Sequence, residues 1–326
     1  MKRRQFLSGA AVAGATAAAA STFAKPAIAQ DVREWRLVTT WPKNFPGLGT
    51  GANLLAEYIT KASNGRLKVT VFGAGEIVPA FEAIDAVGSG TVEMGHGAPY
   101  YWKGKVDATQ YIAAMPFGLN AQEQNAWFQW GGGQELADKV YAELNCKFFP
   151  SGNTGTQMGG WFNKEMNTIA DYQGLKMRIP GLGGEVVKAA GANVVNLPGG
   201  EIPPALQSGA IDATEWVGPW NDYFLGFHRE AKFHYGPGFH EPGSALALGL
   251  NRSKWDSLTP TEQAIIRTAA GEVNNRSVGE FTYQNGVYLE KLVNEEGVQL
   301  RQFPEDVMAR VQEVSADIRS DAGKTG

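Results

Sequence analysis

The stretch Gly174–Trp220, GLKMRIPGLGGEVVKAAGANVVNLPGGEIPPALQSGAIDATEWVGPW, decides the reading of this chain. Leu175 to Ile179 is a short apolar run closed by Pro180 and a glycine-rich turn, the pattern of a buried strand, and it carries one arginine, Arg178. Burying a guanidinium without a partner costs several kcal/mol, so an acidic group must face it, and its planar fork suits a carboxylate best. Ile211 to Trp216 predicts a second strand with Glu215 at its carboxyl end, where ligands lie in open α/β sheets. Two partners therefore fit Arg178: Glu215, as an internal ion pair, or the carboxylate of a ligand.

Residues 1–29 read as an address. Lys2-Arg3-Arg4-Gln5-Phe6-Leu7 precedes an Ala/Gly/Val run from Gly9 to Ala20, and Ala27-Ile28-Ala29 is a small-x-small cleavage site. This predicts a twin-arginine signal for folded export to the bacterial periplasm; an ordinary secretory leader that happens to carry two arginines is the alternative, and both lead out of the cytoplasm. The run is too short and too rich in alanine to span a bilayer. Cleavage would remove four basic residues and no acidic ones, taking the formal charge from −4 to −8 and leaving 297 residues. Such a balance argues against a nucleic-acid partner. The alternation of strand and helix patterns over that length favours an α/β chain of two domains. The single cysteine, Cys146, has no intrachain disulfide partner and sits in an apolar run, so it reads as a packed thiol.

In the first half, strands are expected at Trp35 to Thr40, Leu67 to Phe72 and Val92 to His96, with helices carrying Leu54, Leu55, Tyr58 and Ile59, then Phe81, Ile84 and Val87, on their apolar faces. The third strand runs into Gly97-Ala98-Pro99-Tyr100-Tyr101-Trp102, where Tyr100 and Tyr101 offer an apolar wall with hydroxyl groups, a mix that small-molecule sites use. Gly47-Leu48-Gly49-Thr50-Gly51-Ala52 matches the dinucleotide pattern G-x-G-x-x-A, with Glu76 after the next strand. Pro42, Asn44 and Pro46 stretch the preceding loop, however, whereas a pyrophosphate needs a tight turn, so this run reads instead as a rim at the mouth of the first domain. Of the four histidines, His228 and His234 read as surface or rim residues and His96 as a hydrogen-bonded core residue; none has metalloprotease spacing. Between Phe148 and Asn163 two strands flank Pro150-Ser151-Gly152-Asn153, a hinge signal that places Gln157 at the junction.

The run GLKMRIP, followed by LPGGEIPPALQSGAIDATEWVGP from Leu197 to Pro219, resembles the substrate-binding proteins of tripartite ATP-independent periplasmic (TRAP) transporters, the DctP-like family. The similarity to its 2-oxo-acid-binding branch covers nearly the whole mature chain. The resemblance implies an α/β, two-domain periplasmic binding protein with a ligand cleft between the domains and a long helix spanning both. It puts Arg178 in the position of the arginine that meets the substrate carboxylate. It puts Gln157, Glu215 and the Trp216 carbonyl in the positions that hold a metal cation against the substrate, with Glu241, in the turn His240-Glu241-Pro242-Gly243, as a further cleft residue. These are hard oxygen donors, which favour sodium or calcium over zinc or copper. No organic cofactor is expected.

Ala245 to Leu250 reads as a strand returning to the first domain, and Thr259-Pro260-Thr261-Glu262 is a capping box opening a helix that runs to about Glu296. A strand from Val298 to Phe303 and a helix from Pro304 close the chain. The expected domains are 30–152 with 244–326, and 153–243. The expected function is that of a periplasmic receptor, not an enzyme, which binds a small 2-oxo or 2-hydroxy monocarboxylate and delivers it to membrane permease subunits; a homodimer belongs to the same resemblance. The competing expectation is a twin-arginine-exported oxidoreductase, motivated by the leader and the Gly47–Ala52 run.

Overall fold

The computed structural model describes residues 32–322; the expected leader and its cleavage site lie outside the described residues. The strands within that range are β1 (Arg33–Thr39), β2 (Leu67–Phe72), β3 (Met94–Gly97), β4 (Cys146–Asn153), β5 (Gly160–Phe162), β6 (Lys176–Arg178), β7 (Asn193–Val195), β8 (Ala213–Thr214), β9 (Phe233–Gly236), β10 (Ala245–Asn251) and β11 (Gln299–Gln302). They form two sheets, ordered β2-β1-β3-β10-β4 and β11-β9-β5-β8-β6-β7. Each sheet is the spine of one lobe.

In the first lobe β1 and β3 run parallel, and β10 lies antiparallel between β3 and β4. β10 reads ALALGLN and is buried throughout, as a central strand covered on both faces must be. Successive side chains point to opposite faces. Leu37 accordingly joins Trp35, Ile59, Ile266 and Val273 on one side of the sheet, while its neighbour Val38 joins Ile84, Tyr141 and Phe148 on the other. In the second lobe β6 pairs in parallel with both β7 and β8, and β5 lies antiparallel between β8 and β9. One face packs Phe162, Met177 and Tyr235 against Val186 and Val187 of the helix Gly181–Ala189. Its other face contributes Trp161 to a cluster that also holds Trp41, Phe45, Tyr100, Trp216 and Phe281, so the lobes share a core where they meet.

The chain crosses between the sheets three times: from β4 to β5, from β9 to β10, and along the helix Pro260–Asn294. That helix opens as its sequence requires. Thr259 Oγ1 accepts from the Glu262 amide (3.3 Å), Glu262 Oε2 accepts from the Thr259 amide (2.9 Å), and Pro260 occupies the first turn. Its 35 residues reach about 52 Å at 1.5 Å per residue. Ile266, Ala269, Ala270 and Val273 pack it on the first sheet, and Phe281 and Leu292 carry it into the shared core.

A chain that leaves the first lobe along this helix arrives at the second and stays there. β11 pairs in parallel with β9, Gln299 opposite Phe233, and Val307, Val311 and Val314 of the helix Glu305–Ala322 seal the second lobe's core. β11 thus joins the second sheet and the helix Glu305–Ala322 packs on that lobe, where the sequence placed 244–326 with the first domain.

The histidines also need correction. His234 is fully buried in β9, stacked on Trp161 with ring centroids 4.0 Å apart, and His228 is buried against Tyr223 at 5.0 Å. Neither is a rim residue, because β9 lies inside the sheet and the turn after Leu225 folds His228 inward. His96 behaves as expected: its Nδ1 accepts from Trp41 Nε1 (3.0 Å) and its Nε2 donates to the Ser151 carbonyl (2.8 Å). The Gly47–Ala52 run forms the start of the helix Leu48–Ala62, and a Cβ on Gly49 would lie 2.8 Å from the Pro42 carbonyl. That glycine makes room for the protein's own backbone.

Candidate functional site

β6 and β8 lie side by side in parallel with Arg178 opposite Thr214, so the carboxyl ends of both strands deliver Arg178 and Glu215 to the same point between the lobes. Both are buried to 1% exposure. Arg178 Nη1 forms an ion pair with Glu215 Oε1 and donates to the Glu215 carbonyl (2.9 Å), while Nε donates to the Leu197 carbonyl (3.1 Å). The internal pair anticipated from sequence is therefore present. It does not exhaust the guanidinium: Nη2 is buried without a hydrogen bond of good geometry, with the Tyr101 hydroxyl the polar group beside Arg178. The Trp216 ring lies 5.0 Å from the guanidinium carbon, a cation–π contact, and stands edge-on to Trp41 and Phe45 of the first lobe.

The two backbone crossings bring the remaining groups. Gln157 follows β4 and Glu241 follows β9, and the crossings pair through the Gln157 amide and the Glu241 carbonyl (3.1 Å). Gln157 Nε2 donates to Glu241 Oε2 (2.8 Å) and to Thr154 Oγ1 (3.1 Å), leaving Gln157 Oε1 buried and unpartnered. His240 Nε2 lies 3.3 Å from Glu215 Oε2, the carboxylate oxygen that Arg178 does not hold. Glu215, His240 and Glu241 place one ligating atom each within 4.8 Å of the others. Tyr100 and Tyr101, just past β3, supply the first lobe's wall, their rings edge to face at 4.9 Å.

Electrostatics follow from the burial. Removal from water, reinforced by Glu215, pushes Glu241 up to about 7. Burial alone would depress His240, but its hydrogen bond to Glu215 overrides this and the ring ends above its ordinary value. Burial raises both tyrosines, Tyr101 to about 12, against the opposing pull of Arg178. Sequence reasoning brought Arg178, Glu215, Trp216, Gln157, Glu241, Tyr100 and Tyr101 into one account, and they are neighbours here. It missed His240. The available signal was adjacency: a histidine next to a cleft glutamate whose strand-end geometry turns both residues inward.

These groups fit a hard cation. Gln157 Oε1 is an unpartnered buried acceptor, and Glu215 and Glu241 supply carboxylate oxygens beside it. His240 faces Glu215 through Nε2 and its basicity is raised, which suits a hydrogen-bond donor to the carboxylate better than a metal ligand.

Two α/β lobes with three crossings, shut on a buried arginine, carboxylates and an amide, define a solute-binding protein of the two-lobed receptor class. The chain belongs to the DctP family, the bacterial extracellular solute-binding proteins of family 7, whose model matches residues 37–323. It is 46% identical over 323 residues to the monocarboxylate 2-oxoacid-binding periplasmic protein of Nostoc sp., covering 98% of this chain and 88% of that one. It is 40% identical, with a TM-score of 0.88 and 90% of each chain covered, to a TRAP periplasmic solute-binding protein from Pseudoalteromonas atlantica with bound sodium and pyruvate. It is 36% identical, with a TM-score of 0.87 and coverage of 89% of this chain and 86% of the other, to one from Bordetella bronchiseptica, a dimer with co-purified calcium and picolinate. The family comprises receptors, so the chain is not an enzyme, and the oxidoreductase alternative has no support.

Proposed function

We propose that this protein is the periplasmic receptor of a TRAP transporter, closing over a small 2-oxo or 2-hydroxy monocarboxylate together with sodium or calcium and handing it to membrane permease subunits. The observation that carries this is the incompletely used guanidinium: Arg178 is buried and paired with Glu215, yet Nη2, on the side of the Tyr101 hydroxyl, makes no hydrogen bond of good geometry, and a ligand carboxylate is the group its fork fits. Gln157 Oε1, the Glu215 and Glu241 carboxylates and the Trp216 carbonyl would hold the cation, with Tyr100 and Tyr101 as the wall above. When bound, the cation would offset the negative charge that these oxygens and a ligand carboxylate bring together out of water. Pyruvate and picolinate, bound by the two relatives, share one chemical feature: a second donor atom one carbon from the carboxylate. A ligand of that class can chelate, and a simple fatty acid cannot. Residues 1–29 act in this reading as the twin-arginine export signal, and the dimer of the Bordetella relative is the assembly to test first.

The test is calorimetric titration of chelator-stripped protein with pyruvate in sodium-free buffer, then with sodium or calcium restored. Binding that appears only with an ion supports the proposal. Full affinity without either ion removes the cation from it, and no binding of pyruvate, lactate or picolinate under any condition overturns the ligand class.

A further inference from the structure

The glycine run that matches a nucleotide fingerprint sits at the seam between the lobes. We propose that Pro46-Gly47 is the seat on which the second lobe settles when the receptor closes, with Asn221 as the group that fastens it. The proposal rests on the receptor reading, because it presumes a molecule that opens and shuts.

Three observations converge there. Gly47 precedes the helix Leu48–Ala62 with φ of 71°, and a Cβ on it would lie 2.7 Å from the Phe281 ring and 2.8 Å from the Trp220 ring. Those rings meet edge to face at 5.3 Å and present one continuous surface. Only a residue without a side chain can approach it so closely. Next to it Asn221, with no exposed surface, donates from Nδ2 to the Pro46 carbonyl across the seam (3.0 Å). The turn carrying Trp220 and Asn221 is itself fixed to the long helix, since the Trp220 amide donates to Asn285 Oδ1 (3.1 Å) and a Cβ on Gly218 would meet the same Asn285 side chain at 3.2 Å. On the first lobe the seat is equally built, with Thr50 Oγ1 accepting from the Gly47 amide (2.9 Å). Two prepared surfaces thus meet at this point through one glycine and one hydrogen bond, beside the shared aromatic core and a single turn of chain beyond Trp216. A side chain at position 47 holds the lobes apart, and the apparent affinity falls with the closed fraction.

The lips of the cleft offer a readout that needs no ligand. Lys103 of the first lobe and Glu185 of the second are paired at 2.7 Å and are both partly exposed. In a Lys103→Cys, Glu185→Cys background, cross-linking by a short bis-maleimide reports how often the lips meet. Gly47→Ala should slow it at least about tenfold, and Asn221→Ala, which strains no backbone, by about threefold; pyruvate should dissociate faster by similar factors. Cross-linking rates equal to the parent in both variants overturn the seat. Should the parent fail to bind pyruvate while both variants still cross-link slowly, the ligand reading falls and the seat stands.

Discussion

Replacing Arg178 by alanine should damage both binding and stability, and the structure sets the size of each. The guanidinium satisfies the Leu197 carbonyl, the Glu215 carbonyl and one oxygen of a Glu215 carboxylate with no exposed surface. Removing it leaves that carboxylate with His240 alone. Breaking a buried pair in this way costs about 3–5 kcal/mol, and at roughly 2–4 °C per kcal/mol for a domain of this size the melting temperature should fall by on the order of 10 °C. Pyruvate affinity should fall by about 2–5 kcal/mol, from some thirtyfold to beyond detection, because the ligand carboxylate is then buried without its partner. A companion variant separates the effects. Arg178→Met combined with Glu215→Leu removes both charges and should recover much of the lost stability, since apolar replacement of a buried pair is close to neutral, while binding stays lost. Thermal unfolding and calorimetry on the three proteins decide it. A melting temperature within about 2 °C of the parent for Arg178→Ala, or normal pyruvate binding by the double variant, refutes the reasoning.

Two further outcomes follow from buried polar groups. His234 is held neutral, its value pushed down to about 3 by burial, so the unfolded chain takes up a proton that the fold refuses below the ordinary value of 6.5. Its contribution is complete above that value and is lost as the pH falls. The stability of the parent relative to His234→Phe should therefore drop by about 2 kcal/mol between pH 7.5 and pH 5 in urea denaturation, and a constant difference would disprove it. Asp222 accepts from Trp161 Nε1 (2.8 Å) and from the Val217 and Gly218 amides (3.3 and 3.2 Å). Asp222→Ala orphans all three donors and should lower stability by about 3 kcal/mol or more, with Asp222→Asn retaining part of it; equal urea midpoints for the two variants would show the network to be unimportant.

The first-lobe strands were legible because a central strand covered on both faces reads as an unbroken apolar run, as β10 does, while the edge strand β2 alternates between covered and exposed residues and falls where expected. The second lobe was harder. The strand expected from Ile211 to Trp216 is only Ala213–Thr214, since Glu215 and Trp216 turn out of the ladder to serve the site. β11 is an edge strand whose residues are mostly exposed, so nothing in its pattern says which sheet it joins; the length of the helix before it decides that. Arg178 was legible because a charge inside an apolar run must be explained. His240 was not, because its role depends on two crossings, far apart in the chain, pairing side by side.

Because the helix Pro260–Asn294 hands the last strand to the second sheet, neither lobe is continuous in sequence. The first waits for β10, which lies between β3 and β4. The second waits for Val307, Val311 and Val314 to roof its core. A chain emerging from the ribosome therefore completes neither hydrophobic centre until it is nearly finished, and its early segments are left with apolar faces that have no local partner. Native order must arrive late and through contacts of long sequence separation, which makes folding slow and exposes the unfinished chain to aggregation.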